Sequence, residues 1–429
     1  MQPFVSIILP VRNEEQYIIN CLDSIAAQDY PHDLMELLIV DGLSDDDTLE
    51  QIAEFDSRYD EFPVTILPNP KQAVSSARNI AIKKAVGDVI VCMDAHALYS
   101  PDYISSCVQV MEATGAATVG GHMRALPAND TALARASVLA NDSPFGLGGG
   151  RFHDPNYEGL VETVWMGCYK KEALYNVGLY DERRTRTEDI DLNRRLIEAG
   201  YKIYLSPMIK AWYYPRSKFT DLWRQRWADG FEITRFLPDN PKAPRLRHFI
   251  PLIFVSSLIL LTALSLSGLG AALWGHGAGT KLANALHGLK GFGLKQPGVL
   301  DQKSWSWHLL FLRLLALELG AYLGAMALAV IQAGRSQYKV HKVKKAESVT
   351  RDEVHKVEKV ESVKLGEDTS EPEATSPGLS TLGLSDFRPA PGSLLLLPAV
   401  FLTLHVSYGL GSLWGLATLP FWLGTNQKT

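Results

Sequence analysis

A short apolar run that ends in two metal-binding side-chain types constrains the fold of this chain most strongly. Residues 89–93 have the length and composition of a buried strand, and Asp94 and His96 follow directly. In open α/β sheets, ligands bind beyond the carboxyl ends of the strands, so this pair is predicted to lie in a ligand crevice. The alternative is a strand that ends in an ordinary polar turn, since motifs this short often occur by chance.

The surrounding sequence alternates short apolar runs with helical patterns. Preceding strands are predicted at residues 5–9, 37–40 and 64–67, with amphipathic helices between them. Such alternation predicts βαβ units, right-handed connections and a parallel sheet, and therefore an α/β fold. Later strands are predicted at 117–122, 161–166 and 201–205, the last of them ended by Pro207.

Several protein classes are excluded by what the sequence lacks. No GxGxxG follows the first strand and no GxxxxGK[ST] occurs, so neither a dinucleotide fingerprint nor a P-loop is expected. The formal net charge of -5 excludes an overall basic nucleic-acid-binding protein. The four cysteines show no CxxC spacing and no signal peptide opens the chain, so free thiols and a cytoplasmic N-terminal domain are expected.

Long apolar runs dominate the second half of the chain. Runs at 249–269, 307–333 and 394–423 predict membrane spans. Glu318, inside the second run, is expected to pair with another helix, because an unpaired ion in a membrane is costly. Residues 219–237 form an amphipathic pattern of tryptophans and arginines that suits a membrane surface, with a helix packed on the soluble domain as the alternative.

A basic cluster follows the second apolar run and predicts the orientation of the protein. By the positive-inside rule this end lies in the cytoplasm, which gives a multi-pass plasma-membrane protein with a cytoplasmic catalytic domain and an external C-terminus. The insert that follows repeats residues 340–349 at 354–363, too few copies for a solenoid. The basic residues are Arg335, Lys339, Lys342, Lys344 and Lys345.

Polar turns follow the first two predicted strands. They can supply acceptors for the base and ribose of a nucleotide, while Asp94 and His96 can hold the cation that a diphosphate needs. Asn13 and Asp41 have a second interpretation as helix caps. The turn residues are Pro10, Arg12, Asn13 and Glu14 after the first strand, and Asp41 and Ser44 after the second.

Clustered carboxylates near residue 190 provide a candidate proton acceptor. Glu188, Asp189 and Asp191 lie close together in the sequence, and crowded carboxylates raise one another's pKa, which suits a general base for a nucleophilic hydroxyl. The positive charges of Arg184 and Arg186 lower the pKa of nearby carboxylates, so the sequence leaves open whether the pKa of these groups is raised or lowered overall.

Five short motifs occur in order along the chain, at residues 5–14, 40–48, 77–79, 87–96 and 187–189. Taken in this order, they make the chain similar to the family 2 glycosyltransferases, which have the GT-A fold with a Rossmann-like, mostly parallel sheet. The Asp-Ala-His version at 94–96 and the three-span tail most resemble the succinoglycan-type exopolysaccharide glucosyltransferases. The resemblance covers residues 4–235 and, more loosely, 405–411.

The resemblance implies an inverting, single-displacement transfer from a UDP-sugar, expected to be UDP-glucose, to a lipid-linked saccharide. This would serve exopolysaccharide or surface-polysaccharide synthesis, with polysaccharide-assembly proteins as further partners. By motif position, Asp41 would contact the base, and Asp94 would lie by the ribose and diphosphate. His96 would bind the metal, Arg78 is a candidate for the donor site, and Asp189 would be the general base.

Two of these assignments have alternatives. If Asp189 only caps its helix, then Glu188 or Asp191 would be the base. Trp165 and Gly167 are candidates for the acceptor site, with core and turn positions as the other interpretation.

The sequence departs from the family pattern at two positions. His96 stands where the family usually has an aspartate, and because imidazole suits Mn²⁺ better than Mg²⁺, a preference for Mn²⁺ is predicted. The processive members carry Gln-x-x-Arg-Trp. Here Arg226 and Trp227 are kept as substrate-binding candidates, but Trp223 replaces the glutamine, which favours one sugar added per encounter.

The predicted organisation has five parts, and three other functions remain open. A nucleotidyltransferase would require a basic glycine-rich loop after the first strand, which the sequence lacks. A processive synthase would require more membrane spans than the three predicted. A catalytically decayed membrane scaffold would bind the donor without turnover. The parts are a GT-A domain at 1–215, an interfacial helix and linker at 216–247, a transmembrane hairpin at 248–333, a charged insert at 334–392 and a third span with the C-terminus at 393–429.

Overall fold

The computed structural model describes residues 2–59, 62–147, 150–241, 244–273, 307, 309–335 and 392–426. These residues divide into two compact units. Unit 1 comprises Met1–Tyr180, Leu192–Asp221 and Leu328–Phe401, and unit 2 comprises Asp181–Asp191, Leu222–Ala327 and Leu402–Thr429. The repeated segment predicted within the 334–392 insert lies outside the described residues.

The first part of unit 1 alternates strands and helices as the sequence predicts. Its elements are β1 Val5–Val11, α1 Ile18–Ala26, a 3-10 helix His32–Leu34, β2 Met35–Asp41, α2 Thr48–Arg58, β3 Val64–Pro68, α3 Val74–Lys84 and β4 Val89–Cys92. The four strands pair in parallel, in the order β3-β2-β1-β4.

The second part extends the same sheet with both strand directions. Its elements are β5 Ala97–Tyr99, α4 Tyr103–Thr114, β6 Thr118–Ala125, α5 Ala132–Asp142, a 3-10 helix Arg151–His153, β7 Gly159–Leu160, β8 Trp165–Lys170, α6 Lys171–Asn176, α7 Glu188–Glu198 and β9 Ile203–Tyr213. After β4 the strand order continues β8-β6-β9-β5, and β7 pairs with β9. Only β6 and β9 are parallel in this half, so the described sheet is mixed within the predicted α/β class.

Helices cover both faces of β1, β2 and β4. Alternate residues of β1 enter two separate cores: Ile7 and Leu9 pack with α1, α2 and α4, whereas Ile8 packs with α3, α6 and α7. Burial on both faces explains why these strands are almost continuously apolar. The four cysteines are free thiols, and all four are buried.

Two predicted strand ends were wrong, both at a proline. Pro10 was placed in the turn after the first strand, but it lies within β1, opposite Val40 of β2. On its other side, β4 pairs only as far as Ile8, so β1 is a local edge there and accommodates the proline. Pro207 was expected to end a strand, yet β9 continues to Tyr213, because Pro207 lies where the register with β6 shifts.

The strand predicted at 161–166 is also displaced. The structure starts β8 at Trp165 and carries it to Lys170, so Gly167 lies in a strand rather than in a turn. A Cβ added at Gly167 would overlap the ring of Tyr169, which is why this strand position requires glycine.

Four long helices complete the described chain: α8 Phe219–Phe236, α9 Leu246–Leu273, α10 Leu309–Arg335 and α11 Ser393–Asn426. Three stretches within them are long and apolar enough to cross a membrane: Leu246–Leu266, Leu309–Arg335 and Ser393–Trp422. Glu318 of α10 accepts a hydrogen bond from the Ser257 hydroxyl of α9, so its predicted pairing with another helix is confirmed. Within unit 2, His405 lies 3.0 Å from the Tyr322 hydroxyl.

Glycines allow α8 to pack closely on α11 within unit 2. A Cβ at Gly411 would overlap the backbone of Trp227, and one at Gly415 would overlap Thr234 and Phe231. From the other side, a Cβ at Gly230 would overlap the backbone of Tyr408. Small residues at such crossings are typical of helices that pack in membranes.

Candidate active site

The backbone that follows β4 is fixed by buried side chains. The Asp94 amide donates to the Tyr99 hydroxyl at 2.7 Å, and the Asp94 carbonyl accepts from Tyr99 and from the thiol of Cys21. The side chains of Asp94 and His96 remain partly exposed beside this rigid turn. The predicted pair therefore does lie just beyond the carboxyl end of a parallel strand.

Glu14 is the direct partner of His96. Their Oε1 and Nδ1 atoms are 3.1 Å apart, and the side chains are 12% and 19% exposed respectively. The Glu14 carbonyl accepts from the amides of Tyr17 and Ile18, so the start of α1 fixes the position of Glu14. With its proton on Nδ1, the ring donates to Glu14 and presents the lone pair of Nε2 to a further ligand.

The charge around His96 favours its protonated form. Burial by itself lowers the pKa of His96, but the hydrogen bond with Glu14 and the negative charges of Asp94 and Glu14 outweigh it. The pKa is therefore raised from its ordinary value, despite the opposing positive charge of Arg216. Two carboxylates beside an imidazole produce a negative site, as cation binding requires.

An aromatic cluster surrounds His96, and the sequence analysis missed it. The Tyr213 ring centroid lies 5.6 Å from that of His96, and Tyr17 lies at 6.4 Å. Tyr17 stacks on Tyr214 at 5.3 Å, and Trp165 meets Tyr213 edge-on at 5.9 Å. The sequence signal for this cluster is the aromatic run at 212–214. It was not recognised because the run lies beyond Pro207, the predicted end of the strand.

The two polar turns are joined by side-chain hydrogen bonds. Asn13 and Asp45 bind each other twice, at 2.6 and 3.0 Å, and the Asn13 amide donates to Ser44 at 3.0 Å. Ser44 in turn donates to Asp41 at 2.6 Å. Asp41 also accepts from the amide of Leu43, so its buried carboxylate organises its own loop.

The helix-cap alternatives for these turns were wrong. The N-cap of α1 is Tyr17, and Asn13 lies earlier, in a left-handed conformation with φ of 54° that asparagine tolerates. The N-cap of α2 is Asp47 rather than Asp41, because Asp41 is still the last residue of β2.

The two predicted arginines of this unit occupy different environments. Arg12 is exposed, and its side chain lies over Gly42, where an added Cβ would be 3.2 Å from it. Arg78 is buried in α3, with its guanidinium 5.1 Å from the centre of the Tyr180 ring.

The candidate base belongs to unit 2. Residues 181–191, here called the base segment, carry Glu188, Asp189 and Asp191. Glu188 and Asp191 are buried, and Asp191 accepts a hydrogen bond from Asn240 at 3.0 Å. Asp189 is partly exposed, and its carboxylate accepts from the neighbouring Ile190 amide at 2.8 Å. Of the three, Asp189 is the most accessible to a substrate.

Arg226 and Trp227 also lie in unit 2, on α8. Arg226 pairs with Asp229 at 2.6 Å, one turn further along the helix. The backbone of Trp227 is the part of α8 that Gly411 approaches.

Asp94 and His96 offer an oxygen and a nitrogen donor just beyond the same strand end, and both donor types bind divalent cations. Among the described residues, no group of three or more His, Cys, Asp or Glu side chains could enclose a metal ion. A site with two protein ligands is typical of cations that complete their coordination with substrate phosphates and water. The carboxylate of Glu14 on the far ring nitrogen is also the usual outer partner of a metal-binding histidine.

Comparison with known proteins identifies the family. Residues 6–178 match the profile described as "Glycosyl transferase family 2". The dolichyl N-acetyl-alpha-D-glucosaminyl phosphate 3-beta-D-2,3-diacetamido-2,3-dideoxy-beta-D-glucuronosyltransferase of Methanococcus voltae is 32% identical over 233 residues, 53% of this chain and 72% of that protein. The chain belongs to glycosyltransferase family 2.

A protein of Rhizobium meliloti and a solved structure are also similar to this family 2 chain. The Succinoglycan biosynthesis protein ExoA of Rhizobium meliloti (strain 1021) is 30% identical over 251 residues, 57% of this chain and 74% of that protein. Among solved structures, the mannosyltransferase PcManGT from Pyrobaculum calidifontis in complex with GDP-Man and Mn²⁺ gives a TM-score of 0.46 at 18% identity, covering 78% of this chain and 87% of that one. The profile match and the two sequence relatives confirm, at the level of the family, the resemblance stated from the sequence motifs.

Proposed function

We propose that this family 2 enzyme is an inverting glycosyltransferase that moves glucose from UDP-glucose to a lipid-linked saccharide in exopolysaccharide or surface-polysaccharide synthesis. The observation that carries the proposal is the His96 ring bound by Glu14 beside Asp94, beyond a parallel strand. Two relatives support the acceptor class: one is named for succinoglycan biosynthesis and the other for a dolichyl-linked sugar phosphate.

On the donor side, the joined turns of Asp41 and Asn13 would receive the base and ribose, and Arg78 would complete the donor site. Asp94 and His96 would hold a divalent cation, for which Mn²⁺ is favoured over Mg²⁺ because one ligand is an imidazole. A cation bound there supplies positive charge against the diphosphate that leaves.

On the acceptor side, Asp189 would take the proton of the attacking hydroxyl. The hydroxyl oxygen then bonds to the anomeric carbon while the bond from that carbon to UDP breaks, so one displacement inverts the configuration. The accessibility of Asp189, compared with the buried Glu188 and Asp191, supports this choice. Trp165 and the tyrosines near His96 offer apolar ring faces of the kind on which sugars pack.

The enzyme would work at the plasma membrane with its catalytic residues in the cytoplasm. The three helices that are long and apolar enough to cross a membrane would supply the membrane attachment. The helix α8, which carries Arg226 and Trp227, would bring the lipid-linked acceptor to the site from the membrane surface. The single-sugar outcome is favoured over a processive synthase because Trp223 stands at the glutamine position of the processive motif.

The test is UDP release by the full chain purified in detergent. UDP-glucose would be supplied with Mn²⁺ or Mg²⁺, with and without a membrane lipid extract, to the wild type and to Asp189→Asn. We expect release that depends on the cation and the extract and that falls by roughly 10²- to 10⁴-fold in the variant, the usual contribution of a general base. Glu198→Gln is the matched control, since it removes only an exposed pair with Arg194 on the same helix.

Each other outcome has a definite meaning. Release that survives in Asp189→Asn would move the base to Glu188 or Asp191. Equal activity with both cations would remove the Mn²⁺ preference. A ladder of products from one encounter would establish a processive synthase, and donor binding without any release would establish the scaffold.

A further inference from the structure

One carboxylate of α8 joins two arginines that are distant in sequence. Asp229 Oδ1 lies 2.6 Å from Nε of Arg186 in the base segment. Its other oxygen, Oδ2, lies 2.6 Å from the guanidinium of Arg226 on α8. The side chains of Asp229 and Arg226 are each 17% exposed, so this network is partly withdrawn from solvent. Charge-assisted bonds in such surroundings are stronger than exposed surface pairs.

A second attachment lies beyond the C-terminal end of α8. Arg184 of the base segment pairs with Asp239, and its guanidinium lies 4.9 Å from the centre of the Phe236 ring. Arg184 is 2% exposed, which is unusual for an arginine. Asn240 donates to Asp191 at the other end of the base segment. The base segment is thus bound to α8 at Asp229 and Phe236, and to the residues just after α8 at Asp239 and Asn240.

The helix α8 has little freedom of its own. Backbone overlaps would follow from any side chain at Gly230, Gly411 or Gly415, so α8 and α11 approach each other at backbone distance. A helix packed in this way resists sliding, because interiors at close-packed density do not deform gradually. The contacts of the base segment therefore end on a rigid support.

We propose that Asp229 is a positioning residue for catalysis: through Arg186 it ties the base segment to α8, and α8 ties that segment to the apolar helix α11. This inference rests on the proposed function, since it assumes that the base segment carries the general base. In this scheme α8 not only contacts the membrane surface but also sets the position of Asp189. Asp229 itself touches no substrate in this scheme.

The decisive variant is Asp229→Asn in the full chain, purified in detergent. Hydrogen exchange followed by mass spectrometry should show amides of residues 181–191 exchanging about tenfold faster, because local opening becomes easier when its fixing contacts are lost. Peptides covering residues 89–96 should be unchanged. In UDP release with UDP-glucose and the lipid extract, kcat should fall on the order of 10- to 100-fold while KM for the donor stays constant, as expected for a displaced catalytic group.

Further variants separate a lost tether from a damaged fold. Asp229→Glu keeps the charge and should recover part of kcat. Arg186→Gln removes the more exposed partner and should reproduce both effects should Asp229→Asn fail to fold. Glu198→Gln, which deletes an exposed pair on α7, should leave exchange and kcat at wild-type values.

Unchanged exchange at 181–191 in Asp229→Asn would overturn the tether. Faster exchange with unchanged kcat would overturn the positioning role. If the wild type transfers no sugar to any acceptor, the proposed function fails and the positioning role fails with it, while the exchange result still decides whether the tether exists.

Discussion

Glu14 shows how much one residue outside a recognised pair can contribute. The motif that follows β4 contains Asp94 and His96, but the contact that orients the His96 ring comes from the loop after β1. Partners of this kind fix the tautomer and direction of a metal-binding imidazole. Glu14 was predicted from the sequence as a substrate-binding residue, and the structure supports a role through His96.

Removing the Glu14 carboxylate should therefore weaken cation binding. We expect Glu14→Gln to raise the Mn²⁺ concentration for half-maximal UDP release by roughly 10- to 100-fold, the usual effect of losing such a partner. Titration calorimetry with Mn²⁺ in the presence of UDP gives the same affinity without turnover. Glu15→Gln is the control, because Glu15 is exposed and its carboxylate accepts a hydrogen bond from the Asp47 amide rather than contacting His96. Equal Mn²⁺ affinities in the two variants would contradict this role.

Residues with local causes were predictable, and those with distant causes were not. Asp94 and His96 follow an apolar run, which indicates a buried strand and its end from the sequence alone. Tyr213 reaches His96 only because β9 continues past Pro207 and pairs with β5. Likewise, the ion pair of Arg186 with Asp229 depends on how α8 packs, which neither local pattern contains.

At the scale of elements, three strands of the parallel half were accessible to prediction because both of their faces are buried. β1, β2 and β4 are almost continuously apolar, and their predicted positions agree with the structure to within a few residues. The predicted β8 was displaced because three of residues 161–164 are β-branched, a composition that favours strands, although these residues precede the strand. The periodicity of a sequence distinguishes a strand from a coil well, but it locates the first and last residues of a strand poorly.

The contact between α8 and α11 provides a prediction about an element pair. Gly411→Leu would force a side chain into the backbone of Trp227. We therefore expect the free energy of unfolding to fall by about 1–3 kcal/mol, the usual cost of overpacking. Gly324→Leu on α10 is the matched control, since nothing lies within 4 Å of its Cβ position among the described residues. Denaturant titration in detergent micelles measures both. A Gly411→Leu variant as stable as Gly324→Leu would show that the helices do not approach closely.

At the scale of the whole molecule, the three candidate spans among the described residues predict a topology. If the catalytic residues lie in the cytoplasm, as proposed, crossings at Leu246–Leu266 and Leu309–Arg335 would return the chain to the cytoplasm, and Ser393–Trp422 would then take it out. A reporter fused after Thr429 should be accessible from outside intact cells, while one placed in the 334–392 insert should react only after permeabilisation. The reverse pattern would contradict the cytoplasmic placement of the active site.

The division into two compact units bears on how such a gene can change. The chain passes from one unit to the other after Tyr180, Asp191, Asp221, Ala327 and Phe401, so neither unit is one continuous piece. A single recombination event therefore always cuts through at least one of them. Inheritance of a working base segment is linked to inheritance of α8 and the second part of α11, and homologous exchange between relatives should favour replacement of the whole coding region over shuffling of its halves.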